Sequence, residues 1–203
     1  MDPDDNVPVI VYYDTTHKTL KIARGQNSQP NGSGEWNITS ILPTNSFSGQ
    51  YVTMKAGSNG DLFIAYYKVS TGDLMFIHAS DVDGTGAGVQ YSFDNPVTVD
   101  NEGAVGKWPD IFLVNGNPVI SYINATQAGT FSGLKLVRYT GDESSWEDAA
   151  DWEYEIVPAE SAVFDKRTNI VGLDSGDVTV DNWNIAIGYA SSRFDIVYRQ
   201  LEQ

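Results

Sequence analysis

The sequence predicts an all-β fold, and three observations support this class. Aromatic residues make up 12% of the chain and there are 19 glycines, a composition typical of short strands joined by turns. Apolar runs of strand length recur throughout, whereas the strongest helical signal, over residues 145–150, is that of an acidic loop with a brief helical turn. One repeated unit fills nearly the whole length. With 203 residues, we expect a single domain over 1–203.

Four segments share an apolar run, here named run B, with a tyrosine at the same place in each. The tyrosines are Tyr12, Tyr66, Tyr122 and Tyr189. The segments are Pro8–Asp14, Leu62–Lys68, Pro118–Asn124 and Ile185–Ser191. Successive tyrosines are 54, 56 and 67 residues apart. This distance suits a repeat of four strands whose loops vary in length. We therefore expect the four tyrosines to pack in the core and between sheets.

Further β runs surround each copy of run B. Run C follows it after a polar turn at Leu20–Ala23, Leu74–Ala79, Leu134–Tyr139 and Phe194–Arg199. Run D comes next at Trp36–Ile41, Pro96–Val99 and Trp152–Val157, and run A precedes run B at Tyr51–Met54, Trp108–Leu113 and Arg167–Val171. The chain thus reads BCD, ABCD, ABCD, ABC, with repeats at roughly 1–45, 46–102, 103–160 and 161–203.

A repeated four-strand unit predicts a β-propeller of about four antiparallel blades, of which the first and last are incomplete. A β-sandwich is the alternative, although a sandwich has no reason to repeat four strands in order. Because the first copy lacks run A and the last lacks run D, exchange of terminal strands does not complete a ring. We expect either a longer propeller or chains that complete one another as a homo-oligomer.

The third copy carries a resemblance to a known group of proteins. Trp108–Ile111, Asn115–Tyr122 and Leu134–Val137 resemble the blade repeat of bacterial β-propeller proteins, and Gly34–Trp36 is similar to the turn that closes such a blade. The repeat is shared by lectins, hydrolases and adhesins. The resemblance therefore implies a fold and leaves the chemistry open.

Charge and cysteine content exclude several classes of function. Lys and Arg total 12 against 27 Asp and Glu, a net charge of −15 that repels phosphate backbones and anionic lipid head groups. We expect neither nucleic acid nor a membrane as partner. The absence of cysteine excludes disulfides, thiolate nucleophiles and zinc–thiolate sites.

The acidic start over 1–5 does not resemble a secretory signal, and no apolar run reaches membrane-spanning length. We expect an extracellular or periplasmic protein from which any signal has been removed.

In a propeller, the starts of the A strands and the ends of the B strands open on one face. Tyr51, Trp108 and Arg167 stand at the A starts, Thr53, Asp110 and Asn169 one step further in, and Asp14, Lys68, Asn124 and Ser191 at the B ends. Aromatic rings that stack on sugars, beside amides and charges that bond hydroxyls, predict a ligand-binding rim. Aromatic residues at these positions also pack neighbouring blades, which is the structural alternative.

The sequence is compatible with three functions. The first is a non-catalytic module that binds glycan or another extracellular ligand at this rim. The second is a structural or protein-interaction domain of a larger or oligomeric propeller. The third is a polysaccharide-active, glycosidase-like enzyme with Asp14 and Asp110 as its two carboxylates.

Metal and histidine sites have little support. Asp81 and Asp83 begin a Gly-rich acidic turn that resembles the start of a Ca²⁺ loop, but Ser92 stands where such a loop needs Glu. We expect no cofactor, with Ca²⁺ at this turn as the alternative. His17 and His78 are isolated and are interpreted as structural, since no catalytic histidine motif occurs.

Overall fold

The chain folds into four antiparallel β-sheets. The computed structural model describes residues 6–82, 91–125, 133–142, 146–156, 166–173, 183–190 and 194–201, and in the last three ranges and at residue 155 it describes the backbone alone. The all-β prediction is confirmed, since the only helical elements in these ranges are short 3₁₀ turns at Ser33–Glu35 and Ala149–Asp151. The second of these turns overlaps the end of residues 145–150, for which the sequence predicts a brief helical turn.

The first two sheets occupy the first half of the chain. Sheet 1 consists of β1 (Val9–Asp14), β2 (Thr19–Gly25) and β3 (Trp36–Ser40), and sheet 2 of β4 (Ser48–Ala56), β5 (Leu62–Lys68), β6 (Asp73–Asp81), β7 (Tyr91–Phe93) and β8 (Val97–Asp100). The strands pair in chain order, except that β7 and β8 both pair with β6. Pro96 separates these two, because proline has no N–H to give to a ladder.

The last two sheets follow the same plan. Sheet 3 consists of β9 (Val105–Val114), β10 (Asn117–Asn124), β11 (Gly133–Tyr139) and β12 (Trp152–Ile156), and sheet 4 of β13 (Lys166–Leu173), β14 (Trp183–Ala190) and β15 (Phe194–Leu201). Each of the fourteen predicted runs coincides with one of these strands, and β7 is the additional strand. The predicted order BCD, ABCD, ABCD, ABC therefore describes the sheets, apart from the divided D strand of sheet 2.

Neighbouring sheets in the chain pack face to face. Strand β4 packs on β1 and β2, β9 packs on β4, β5 and β6, and β13 packs on β9 and β10. Two apolar cores result, the first between sheets 1 and 2 and the second between sheets 2 and 3. Sheet 2 is buried on both faces, which explains the nearly continuous apolar character of β5 and β6.

The repeated tyrosines occupy corresponding places. Tyr66 is 1% exposed in the first core and Tyr122 is 0% exposed in the second, so each side chain lies against the preceding sheet. In β1, β5 and β10 the tyrosine stands two residues before the last residue that pairs with the C strand, next to the hairpin turn. Tyr12 is only half-buried, and the side chain of Tyr189 lies outside the described part. Core packing is thus confirmed for Tyr66 and Tyr122.

Candidate functional site

The predicted rim begins at a repeated irregularity of the A strands. Tyr51 in β4 has φ 53° and Trp108 in β9 has φ 49°, a left-handed conformation that is rare for bulky residues. At both places the register against the neighbouring B strand shifts, so each aromatic residue lies in a β-bulge. Strained backbone of this kind is concentrated at functional sites.

A glycine two residues earlier holds each bulge against the preceding sheet. Gly49 has φ +109° and a Cβ there would lie 2.8 Å from Leu20 Cβ. Gly106 has φ +91° and a Cβ there would lie 2.6 Å from Leu74 Cα. Both contacts are closer than any side chain allows, so only glycine brings the A strand this near its neighbour.

The two bulges bring their aromatic rings together. The ring centroids of Tyr51 and Trp108 are 5.0 Å apart at 51°, and Tyr67 in β5 lies 6.0 Å from Tyr51. Lys107 Nζ lies 5.7 Å from the centroid of Tyr67. Tyr51 is 41% exposed, Trp108 is half-buried and Tyr67 is buried. These three rings form what we call the aromatic rim.

Polar groups lie one step further along the same strands. Thr53 Oγ1 donates to Asp110 Oδ1 across the two sheets at 3.2 Å, and the Ile111 N–H donates to the same oxygen at 3.0 Å. Both side chains are half-buried. The sequence placed Thr53 and Asp110 at matching positions, and the structure joins them.

The ends of the B strands lie at the same end of sheets 2 and 3 as the A starts. Lys68 is paired with Ser48, and Asn124 with Val105. Beyond these pairs, the Ala125 N–H donates to the Ala104 carbonyl at 2.7 Å. The predicted clustering of A starts and B ends is thus observed in these two sheets, where Lys68 and Asn124 are half-buried.

Asp14, at the B end of sheet 1, is held within its own hairpin. Its Oδ2 lies 2.6 Å from Lys21 Nζ and 2.7 Å from His17 Nδ1, and its Oδ1 accepts the N–H groups of Thr16 and His17. The Lys21 hydrogen bond and then the His17 N–H hold the pKa of Asp14 well below its usual range. A carboxylate in this setting stays ionised, whereas the general acid of a glycosidase needs a raised pKa.

Sheet 4 repeats the bulge in its backbone. The register of β13 against β14 shifts between Lys166 and Thr168, which places Arg167 at the position of Tyr51 and Trp108. Asn169 pairs with Gly188. The side chains of Arg167 and Asn169 lie outside the described part of the chain, as does Ser191 altogether.

The acidic turn after β6 is described only at its start. Asp81 closes β6, and its N–H donates to Asp61 Oδ1 at 2.8 Å. Asp83 lies outside the described ranges. Within them, no three histidine or carboxylate side chains are grouped so as to hold a metal ion.

A cleft that sequence reasoning missed lies where β4 and β9 end. This cleft of about 650 Å³ is lined in part by Ser58, Phe63, His78 and Trp146. His78 is 7% exposed in its side chain, and its Nδ1 lies 2.9 Å from Asp94 Oδ2 while Nε2 lies 3.3 Å from Asp61 Oδ2. The Trp146 ring centroid is 5.4 Å from that of His78.

His78 is therefore not isolated, contrary to the prediction from the sequence, since two carboxylates flank its ring; its structural role stays an interpretation. No local sequence motif predicts the cleft, because its residues come from four separate segments of the chain, at Asp61, His78, Asp94 and Trp146.

Comparisons with known proteins leave the family open. No family model matches the chain, and neither the curated proteins nor the solved structures gave a significant match. Among the described residues, no helix has the length and apolar character required to cross a membrane.

Proposed function

We propose that this chain is a non-catalytic binding module that recognises a glycan at the aromatic rim. The observation that supports this most directly is the exposed Tyr51 ring, whose centroid lies 5.0 Å from that of Trp108. Both residues lie in β-bulges and have a left-handed backbone conformation. Rings fixed by the backbone lose little conformational entropy when a ligand stacks on them. A left-handed conformation costs a bulky residue about 1–3 kcal/mol, and such strain is concentrated at binding and catalytic sites.

The groups around the rim suit a neutral polyhydroxylated ligand. Sugar rings present an apolar face to aromatic side chains and hydroxyls to polar ones. Thr53, Asp110, Lys68 and Asn124 offer hydroxyl, carboxylate, ammonium and amide groups at the same end of the sheets. The net charge of −15 disfavours polyphosphates and other strongly anionic chains.

The proposal includes a propeller-type arrangement of the sheets. Support comes from the order of packing, since the A strand of each sheet from the second onward lies against the sheet before it. Support also comes from Gly49 and Gly106, which approach leucines at corresponding places of successive sheets. In such an arrangement the A starts of all blades surround one mouth.

A glycosidase function fits the carboxylates less well. Asp14 is bonded within the β1–β2 hairpin and has a lowered pKa, whereas Asp110 accepts from Thr53 on β4. Asp14, held ionised in this way, does not supply the proton donor that the reaction needs.

A glycan array followed by calorimetric titration of the best ligand tests the proposal. Replacing a central aromatic contact should cost about 2 kcal/mol or more, so Trp108→Ala and Tyr51→Ala should each weaken binding about thirtyfold. Trp36→Ala, a half-buried tryptophan at the start of β3, is the matched control and should bind like the unmodified chain.

Two results would remove this proposal. One is an array on which no glycan binds the unmodified chain. The other is a Trp108→Ala protein that keeps its full affinity while thermal unfolding shows it to be folded.

A further inference from the structure

One face of sheet 1 carries exposed apolar side chains on both of its outer strands. Ile10, Ala23 and Ile38 stand side by side across β1, β2 and β3. Ile10 is 49% exposed and Ile38 is 55% exposed, Tyr12 beside them is half-buried, and the small Ala23 between the two isoleucines is 7% exposed. We call these four residues the sheet 1 face. It is turned away from sheet 2, because Leu20 and Ile22 on the opposite side form the first core.

The same positions are covered in the next two sheets. Ile64 and Ile120 correspond to Ile10 in the repeat, and both are 0% exposed. The preceding sheet provides the cover each time, with Leu20 and Ile22 over sheet 2 and Leu74 and Phe76 over sheet 3. An isoleucine that is half exposed where its two counterparts are fully buried marks a surface that lacks its covering sheet.

Sheet 4 has apolar residues at the two C-strand positions that, in sheets 1 and 2, cover the following sheet. By hairpin register, Phe194 and Ile196 in β15 stand at the positions of Leu20 and Ile22 in β2. Among the described strands, sheet 4 packs through β13 on β9 and β10, and no comparable packing joins it to β1, β2 or β3. The Asp14–Lys21 ion pair lies beside the sheet 1 face, and its two charges neutralise each other. Protein–protein interfaces commonly have a polar rim around an apolar centre.

We propose that the sheet 1 face docks the last sheet of a second copy of this chain. The contact continues, between chains, the packing that already joins sheets 1 to 2, 2 to 3 and 3 to 4. It is a head-to-tail contact, in which the first sheet of one copy meets the last sheet of the next. Two copies form a closed ring if the rotation between them closes, and longer assemblies otherwise.

Sedimentation over a concentration series tests the association. The unmodified chain should dimerise or associate further as concentration rises. Ile10→Glu, which places a charge on the sheet 1 face, should weaken association about tenfold or more. Ile156→Glu is the matched control, since Ile156 is 54% exposed on the outer strand of sheet 3, and it should associate normally. A monomer at all concentrations, or equal weakening by both variants, would overturn the proposal.

Disulfide cross-linking identifies what covers the sheet 1 face. Because the chain has no cysteine of its own, any disulfide must join the introduced residues. A mixture of Ile10→Cys and Ile196→Cys chains should form the mixed disulfide dimer on oxidation, with near-ultraviolet circular dichroism confirming that both are folded. No mixed dimer, or a disulfide that forms only within a single chain carrying both cysteines, would overturn the proposal. The latter result would assign the cover to the chain's own sheet 4.

Discussion

At the scale of single residues, a Gly-x-aromatic pattern generates the candidate site. Gly49 precedes Tyr51 and Gly106 precedes Trp108 by two positions. The glycine allows the A strand to lie against a leucine of the preceding sheet, and the bulge that follows turns the aromatic ring towards its neighbour. The site therefore depends on backbone conformations that most residues cannot adopt.

Gly106→Ala should destabilise the protein by about 2–4 kcal/mol, because alanine is strained at φ +91° and its Cβ would overlap the backbone of Leu74. Urea unfolding followed by tryptophan fluorescence measures the change. Gly34→Ala is the control, since a Cβ there meets nothing within 4 Å, and it should change stability by less than about 0.5 kcal/mol. Equal stability of both variants would show that the close approach to Leu74 is not needed.

At the scale of elements, a buried polar cluster joins sheet 2 to sheet 3. Asp100, at the end of β8, accepts from Lys135 Nζ at 2.5 Å and from the Tyr122 hydroxyl at 2.7 Å. Lys135 Nζ also lies 4.0 Å from the ring centroid of Tyr154 in β12. Burial, and then the charge of Asp100, raises the pKa of Tyr122. The hydroxyl thus stays a donor, and the cluster specifies which strands of the two sheets face each other.

Lys135→Met should cost about 3–5 kcal/mol in the free energy of unfolding, because it leaves the Asp100 carboxylate buried without its cation. Chemical denaturation monitors the loss, and the added change Asp100→Leu should restore part of it. Arg138→Met is the control on the same strand. Its partner Glu153 is 61% exposed in the side chain, so the cost should be within about 1 kcal/mol. Similar costs for the two single variants would contradict a specific role of the buried pair.

At the scale of the whole molecule, the sheets form a series in which each packs on its neighbours in the chain. Sheet 2 contributes to both described cores, whereas sheet 1 contributes only to the first. Burial on two faces protects the backbone hydrogen bonds of β5 and β6 more fully than those of the outer strand β3. Local stability should therefore vary along the chain.

Hydrogen exchange monitored by mass spectrometry should show this gradient. The bonded amides of β5, whose first six residues are all buried, should exchange at least about tenfold more slowly than the bonded amides of β3, which has no buried residue. Peptides covering β2, buried at six of seven positions, serve as the internal comparison within sheet 1. Equal protection of β3 and β5 would indicate one cooperative unit with no weaker outer strand.

Much of the local structure could be predicted because it depends on local patterns. The runs around Tyr66 and Tyr122 have the length and apolar character of strands, and both lie where the repeat places them. The rim pair Tyr51 and Trp108 could be predicted from the same repeat, since equivalent positions of neighbouring sheets meet. The bulges could not, because a positive φ at an aromatic residue has no sequence signature of its own.

The sequence by itself determined the β class, the order of the strands and which positions correspond between copies, since alternation and turn residues act over a few positions. Only the tertiary structure decided which side chains meet across sheets. Asp100 of sheet 2 meets Lys135 of sheet 3, and His78 of sheet 2 meets Trp146, which precedes the outer strand of sheet 3. Their contacts depend on how whole sheet faces pack, a property of summed apolar burial that no single segment contains.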